Sequence, residues 1–143
     1  DGYYYITGRV KDYFKTIQGK FVAPTPIENA FAENPYTEQI CLLGRGFSKT
    51  VMVCVLSAVA QETDDQLVET ALIEKVELIN AEIESHARIG AVIISTEAWT
   101  NENALLTPTM KIRREKIDEL FGSRAQQLAQ DAVKQGKVLL ERA

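Results

Sequence analysis

Three apolar runs constrain this chain more than any other feature: Ile40–Leu43 (ICLL), Val51–Leu56 (VMVCVL) and Ala91–Ser95 (AVIIS). None of them alternates apolar with polar residues, so none suits a sheet that keeps one face in water. The first two flank Gly44-Arg45-Gly46, which predicts a hairpin. A small sheet with helices on both faces accommodates all three. The helices are legible around them. Val68, Leu72, Val76, Ile79, Ile83 and Ala87 recur at helical spacing within Thr63–Ile89, with a capping box at Thr63–Gln66 and Gly90 as terminator. Thr25-Pro26-Ile27-Glu28 predicts a helix start, the helix running to Glu33 and stopping before Pro35. Ile117, Leu120 and Phe121 give a last apolar face, which Gly122-Ser123 interrupts before a helix from Ser123 to Gln135. The order strand, strand, helix, strand, strand, helix, strand, helix predicts an α/β (α+β) domain preceded by a β-hairpin.

With 143 residues the chain is long enough for one domain with its own core and too short for two ordinary ones. A net charge of −4 excludes a generally nucleic-acid-binding surface, so any anion site must be local. No apolar run reaches membrane-spanning length. Cys41 and Cys54 lie in apolar runs with no Cys-x-x-Cys or histidine neighbour, which predicts reduced, buried thiols in a cytoplasmic protein and no metal site. His86 is expected as a surface or half-packed side chain. The chain opens in DGYYYIT without a methionine, so it is expected to be a piece of something longer or a processed product.

Two basic segments remain. In Asp1–Glu28 a strand-like run at Tyr3–Thr7 breaks at Gly8. Arg9, Lys11, Lys15 and Lys20 then follow within twelve residues, interleaved with Tyr13, Phe14 and Phe21 around a turn at Gln18-Gly19. Backbone N–H groups near a glycine and clustered cations both favour a phosphate-rich ligand. The same charges would also keep an exposed strand edge soluble. The second segment is Leu106-Thr107-Pro108-Thr109-Met110-Lys111-Ile112-Arg113-Arg114. Its Thr-Pro-Thr gives a stiff approach that can project a lysine from a loop end. Its cations gather where a helix begins, which the helix macrodipole disfavours. Surface charge alone would also explain them.

Together the two segments resemble the C-terminal domain of the adenylate-forming superfamily, specifically acyl-CoA synthetases of the long-chain fatty acid type. Gly8-Arg9-Val10-Lys11-Asp12 resembles the family's hinge motif, and Lys15-Thr16 through Gly19 to Ile27-Glu28 resembles the loop-to-helix segment after it. Leu106–Lys111 resembles the motif that carries the catalytic lysine. The resemblance implies that Lys111 is catalytic, that Arg9 meets the nucleotide and that Lys11 is the hinge. It also implies that Gly19 and Lys20 lie at the coenzyme A tunnel. The chain carries Ile17-Gln18-Gly19-Lys20 where many relatives read Ser-Gly-Gly-Glu.

On this resemblance residues 1–24 form hinge and hairpin, 25–122 an α/β core with the lysine loop at 106–112, and 123–143 a C-terminal helix. A large N-terminal adenylation domain, holding most of the MgATP site and the acyl pocket, would precede them as partner. The implied reaction joins a carboxylic acid to coenzyme A at the expense of ATP, through an acyl-adenylate, as this mobile lid domain rotates. The fragment alone is expected to be inactive. The longer parent is expected to be cytoplasmic, with scope for peripheral membrane association. Two alternatives stay open: transfer to the phosphopantetheine of a carrier protein, and a non-catalytic α/β binding module.

Overall fold

The computed structural model describes residues 12–143. The expected strand at Tyr3–Thr7, the nucleotide residue Arg9 and the hinge residue Lys11 lie outside them. A short hairpin of β1 (Phe14–Lys15) and β2 (Phe21–Val22) leads into helix α1 (Pro24–Phe31). Strands β3 (Thr37–Leu43) and β4 (Thr50–Leu56) follow, then the short α2 (Ala58–Gln61) and the long α3 (Asp65–Asn80). A 3₁₀ turn (Ser85–Ala87), β5 (Ile89–Ser95), α4 (Arg114–Gln135) and β6 (Leu139–Arg142) complete the chain.

The sheet order is β3-β4-β5-β6. The expected hairpin is present, with β3 antiparallel to β4 and Ile40 opposite Cys54. Strand β5 runs parallel to β4, and β6 parallel to β5. Alternate residues of each strand enter different cores, which is why the runs carry no polar face. On one face Leu42, Met52, Cys54 and Val92 pack with Phe31 of α1 and Leu72 of α3. On the other Cys41, Leu43, Val53 and Ile93 pack with Ile117 and Phe121 of α4. Both parallel crossovers, β4 to β5 through α3 and β5 to β6 through α4, step the same way across the sheet. Their helices nevertheless lie on opposite faces, so the crossovers are of opposite hand and one is the uncommon left-handed form.

Several expected boundaries move. Gly122-Ser123 does not interrupt a helix: α4 runs unbroken through both, so the boundary expected at 122/123 falls inside it. One glycine costs a helix about 1 kcal/mol relative to alanine. Burying Ile117, Phe121, Ala125 and Leu128 on the sheet outweighs that. Gly90 is not a helix terminator but part of β5, where a Cβ would stand 2.9 Å from Lys49 Cβ and 3.3 Å from Ala132 Cβ. Helix α3 stops earlier, at Asn80, whose side chain accepts from Ile89 N (2.8 Å) and donates to Ile89 O (2.9 Å). The cap is Asp64, which accepts from Gln66 N, while Thr63 closes α2 by donating to Val59 O. Strand β6 was not anticipated at all. Its residues are only half buried and carry Glu141 and Arg142, so they lack the apolar signature of the central strands.

Candidate functional site

The segment before α4 is anchored at its start by Trp99, which is buried against the α4-side core. Gln39 of β3 clamps that residue's backbone, accepting from Trp99 N and donating to Trp99 O, both at 2.8 Å. Leu105 and Leu106 sink into the same core, and Leu106 pairs with Ile112 in a single antiparallel bridge. Arg113 N donates to Leu105 O (2.9 Å), which closes the root of a tight loop. Its tip is stitched by Thr107: its N–H donates to Lys111 O (2.8 Å), its carbonyl accepts from Met110 N (2.8 Å), and its hydroxyl accepts from Lys111 N (3.0 Å). Met110 adopts a left-handed φ of 68° to make the turn, and its side chain is 65% exposed. Lys111 is held at the end of this turn with its side chain in solvent.

Of the three cations clustered here, two are engaged. The Arg113 guanidinium reaches Glu115 Oε1 and Ala104 O, each at 3.4 Å. Arg114 turns away from the helix axis and forms a two-pronged pair with Glu28 of α1, Nη1 to Oε2 at 2.7 Å and Nη2 to Oε1 at 3.2 Å. Among the described residues Lys111 has no carboxylate within ion-pairing distance. Burial is the largest single influence on the Arg114 cation and works against it, but the hydrogen bond to Glu28 and the nearby negative groups together outweigh it and hold its pKa above the ordinary arginine value. The neighbouring Cys41 thiol is pushed up to about 12 by burial, which Arg114 only partly offsets. Position thus decides role: the free lysine faces solvent, and the arginine at the unfavourable helix end serves a contact elsewhere.

The β1–β2 hairpin lies on the other side of the sheet, where Phe14 and Val22 join the α1/α3 core. Its turn is closed by Thr16 N donating to Lys20 O and by Gly19 N donating to Thr16 O, both at 2.9 Å. Gly19 takes φ 80°, and no atom stands within 4 Å of where a Cβ would be. The hairpin is tied to the β3–β4 connection: Ile17 N donates to Phe47 O (3.0 Å) and Gly46 N to Lys15 O (2.8 Å). At Gly44 a Cβ would come within 2.3 Å of the Phe14 ring. His86 is half-packed as expected, its Nε2 3.2 Å from Phe21 O. The tip presents Ile17 and Phe21, 67% and 63% exposed, beside the exposed Lys15 and Lys20. Lys15 Nζ sits 5.1 Å over the Phe21 ring.

A cleft of about 470 Å³ opens between the start of β1, the β3–β4 connection and the start of α4, lined by Asp12, Phe14, Gly44, Arg45, Arg114 and Asp118 among others. Asp12, on its rim, is the first described residue after the expected hinge. Sequence reasoning missed the Glu28–Arg114 pair and the Trp99 anchor. The one available signal was an arginine placed at the positive end of a helix. Among the described residues no group of three or more His, Cys, Asp or Glu side chains is placed to hold a metal ion, and no helix is long and apolar enough to cross a membrane.

This arrangement, a hairpin and a lysine loop on opposite faces of a four-stranded mixed sheet, matches known proteins over most of its length. The family model for the AMP-binding enzyme C-terminal domain matches residues 11–132. The long-chain-fatty-acid–CoA ligase 5 of Mus musculus is 27% identical over 141 residues, covering 86% of this chain and 21% of the ligase. A chloroplastic long-chain-fatty-acid–[acyl-carrier-protein] ligase of Arabidopsis thaliana is 32% identical over 127 residues, covering 81% of this chain and 18% of that protein. Among solved structures, the A domain of carboxylic acid reductase from Segniliparus rugosus, in complex with AMP and a co-purified carboxylic acid, superposes with a TM-score of 0.71 at 29% identity. That match covers 87% of this chain and 21% of the other. The chain belongs to the AMP-binding enzyme C-terminal domain family, the C-terminal domain of adenylate-forming enzymes. It spans about a fifth of the length of these relatives.

Proposed function

We propose that this chain is the C-terminal domain of a longer ATP-dependent acid–CoA ligase of the fatty-acid type, acting in the cytoplasm with its own N-terminal adenylation domain. A carboxylate oxygen attacks the α-phosphorus of ATP and pyrophosphate leaves. The coenzyme A thiol then attacks the acyl carbon, AMP leaves, and the thiol proton is lost. Lys111 serves the first step. Negative charge grows on the attacking and phosphoryl oxygens there, and a compact ammonium on a flexible stem can follow it. Arg9 meets the nucleotide and Lys11 is the pivot. Gly19 and Lys20 lie along the coenzyme A arm, where a missing side chain permits close approach. Mg²⁺, carried by ATP, is held mainly by the N-terminal domain.

One observation carries this reading: Lys111 stands in solvent, free of carboxylates among the described residues, on the sheet face opposite the hairpin. Two surfaces on opposite faces cannot attend one reaction centre together, which favours rotation of the domain between half-reactions. The test is Lys111→Ala in the full-length ligase. Adenylate formation should fall by about 10²–10³-fold, as for loss of a charge-stabilising donor. Thioester formation from supplied acyl-adenylate should persist. Wild-type pyrophosphate release by this variant would refute the role given to Lys111.

A second acceptor is favoured by the hairpin tip. Ile17 and Phe21 beside Lys15 and Lys20 offer an apolar and cationic surface of the kind that docks a protein. A carrier-borne phosphopantetheine would then replace free coenzyme A, and one of the similar proteins is named for such a carrier. The distinction is whether free coenzyme A consumes the adenylate.

A further inference from the structure

The Glu28–Arg114 pair does more than join two helices. Among the described residues strand β3 is a sheet edge, so Leu42 has an outward N–H and C=O with no neighbouring described strand to take them. Glu28 Oε2 accepts from Leu42 N at 2.7 Å, and Arg114 Nη1 donates to Leu42 O at 2.9 Å. The two side chains, bonded to each other, thus occupy the place of a missing strand. The three-way contact ties α1, β3 and α4 together at one point. Its side chains are only 25% (Arg114) and 15% (Glu28) exposed. Among the described residues the Arg114 Nε–H is buried without a partner, and the side chain is held in this pose by hydrogen bonds from its two terminal nitrogens.

Arg114 is also the residue where the lysine loop ends. Only Ile112 and Arg113 lie between it and Lys111, and the loop root closes one residue earlier, at Arg113 N. The two ends of the loop are fixed to the same strand: Trp99 by Gln39 near the start of β3, and Arg114 by Leu42 near its end. We infer that Glu28 and Arg114 are positioning residues for Lys111, setting where the loop tip stands relative to the sheet and thereby the efficiency of the adenylation step. This rests on the catalytic reading of Lys111.

The geometry separates this role from simple bracing of the fold. Lysine at 114 keeps one cation but cannot span two carboxylate oxygens and the Leu42 carbonyl together. Glutamine at 28 keeps an acceptor for Leu42 N and loses the charge. Either change lets the loop root shift by a fraction of an ångström while the apolar core on both faces stays intact. Placement errors of that order cost catalysis without costing substrate binding.

The experiment uses the full-length ligase carrying Arg114→Lys, Glu28→Gln, Lys111→Ala and the double combinations of the first two with the third. ATP-dependent adenylate formation, thioester formation from supplied acyl-adenylate, and Tm are measured for each, with activity assays run well below Tm. Arg114→Lys and Glu28→Gln should lower kcat for adenylation by about tenfold or more, with KM for ATP within about twofold and the thioester step within about twofold. In the Lys111→Ala background neither should lower adenylation further, because groups that act as a unit are not additive. Equal loss in both half-reactions, or a full further loss in the Lys111→Ala background, would overturn the inference and leave a bracing role only. Unchanged adenylation in both single variants would overturn it as well. If Lys111→Ala itself adenylates at the wild-type rate, the catalytic reading fails first and this inference falls with it, an outcome distinct from the others.

Discussion

Gly44→Ala tests how the hairpin is seated. Gly44 lies in the β3–β4 connection, outside the left-handed region of φ, so alanine there meets no backbone penalty. Its cost is steric. The new Cβ would stand 2.3 Å from Phe14 Cε1, 2.8 Å from Phe14 Cζ and 3.1 Å from Thr50 Cγ2. Phe14 is 5% exposed and packed into the α1/α3 core, so its ring cannot swing aside freely. Overpacking of this kind costs about 1–3 kcal/mol. For a domain of this size that corresponds to a fall in Tm of about 3–10 °C. Leucine at position 14 removes both of the closest ring atoms. In a Phe14→Leu background the alanine should therefore cost less than about 0.5 kcal/mol, a clear departure from additivity. Thermal unfolding of the four proteins of this cycle gives the answer. On the proposed function, the same single variant in the full-length protein should weaken the thioester step more than adenylation, since the hairpin and not the lysine loop is displaced. An alanine cost that is the same in both backgrounds, or absent in both, would refute the proposed seating of the hairpin on Gly44.

Burial also sets the behaviour of the thiols. Both Cys41 and Cys54 are pushed up to about 12 by burial, so an aromatic disulfide reagent near neutral pH should label neither in the folded chain and both after denaturation. Fast labelling of either in the native state would contradict the core described above. The Glu141 carboxyl is held below the usual carboxylate range, chiefly by its hydrogen bond from Arg124. A depressed folded-state pKa contributes stability that is complete above the unfolded value of about 4.3 and is lost as pH falls through the folded value. Glu141→Gln should therefore flatten the acid limb of a urea-denaturation series taken from about pH 6 to about pH 2, leaving the limb above about pH 5 unchanged in slope. A slope change confined to neutral pH would contradict the assignment.

Strands β4 and β5 were legible because fully buried strands leave an unmistakable apolar run, and the edge strand β3 because its second half, Ile40–Leu43, carries one. Boundaries were less so. Gly90 and Gly122 both carry the local signature of a helix end, and tertiary packing overrides it in opposite ways. One glycine admits Ala132 and Lys49 against a strand, and the other is carried along by a helix whose apolar face is worth more than its local cost. Strand β6 escaped because an edge strand half covered by α3 and α4 needs no long apolar run. Lys111 could be singled out from its Thr-Pro-Thr approach and motif, yet nothing local distinguishes it from Arg113 and Arg114. Their partners sit at Glu115, Ala104 and Glu28, and the last is 86 positions away from Arg114. Contacts of that separation are set by the fold and leave no trace in spacing.

The claim at the centre of this account is that one rigid domain turns about residue 11 to offer first one sheet face and then the other. Lys11→Pro in the full-length ligase tests it most directly, because proline fixes φ near −65° and removes the freedom a pivot needs. Pre-steady-state measurement of both half-reactions should show adenylation within about threefold of wild type and thioester formation slowed by about a hundredfold or more. Equal slowing of both steps, or an unimpaired thioester step, would contradict it.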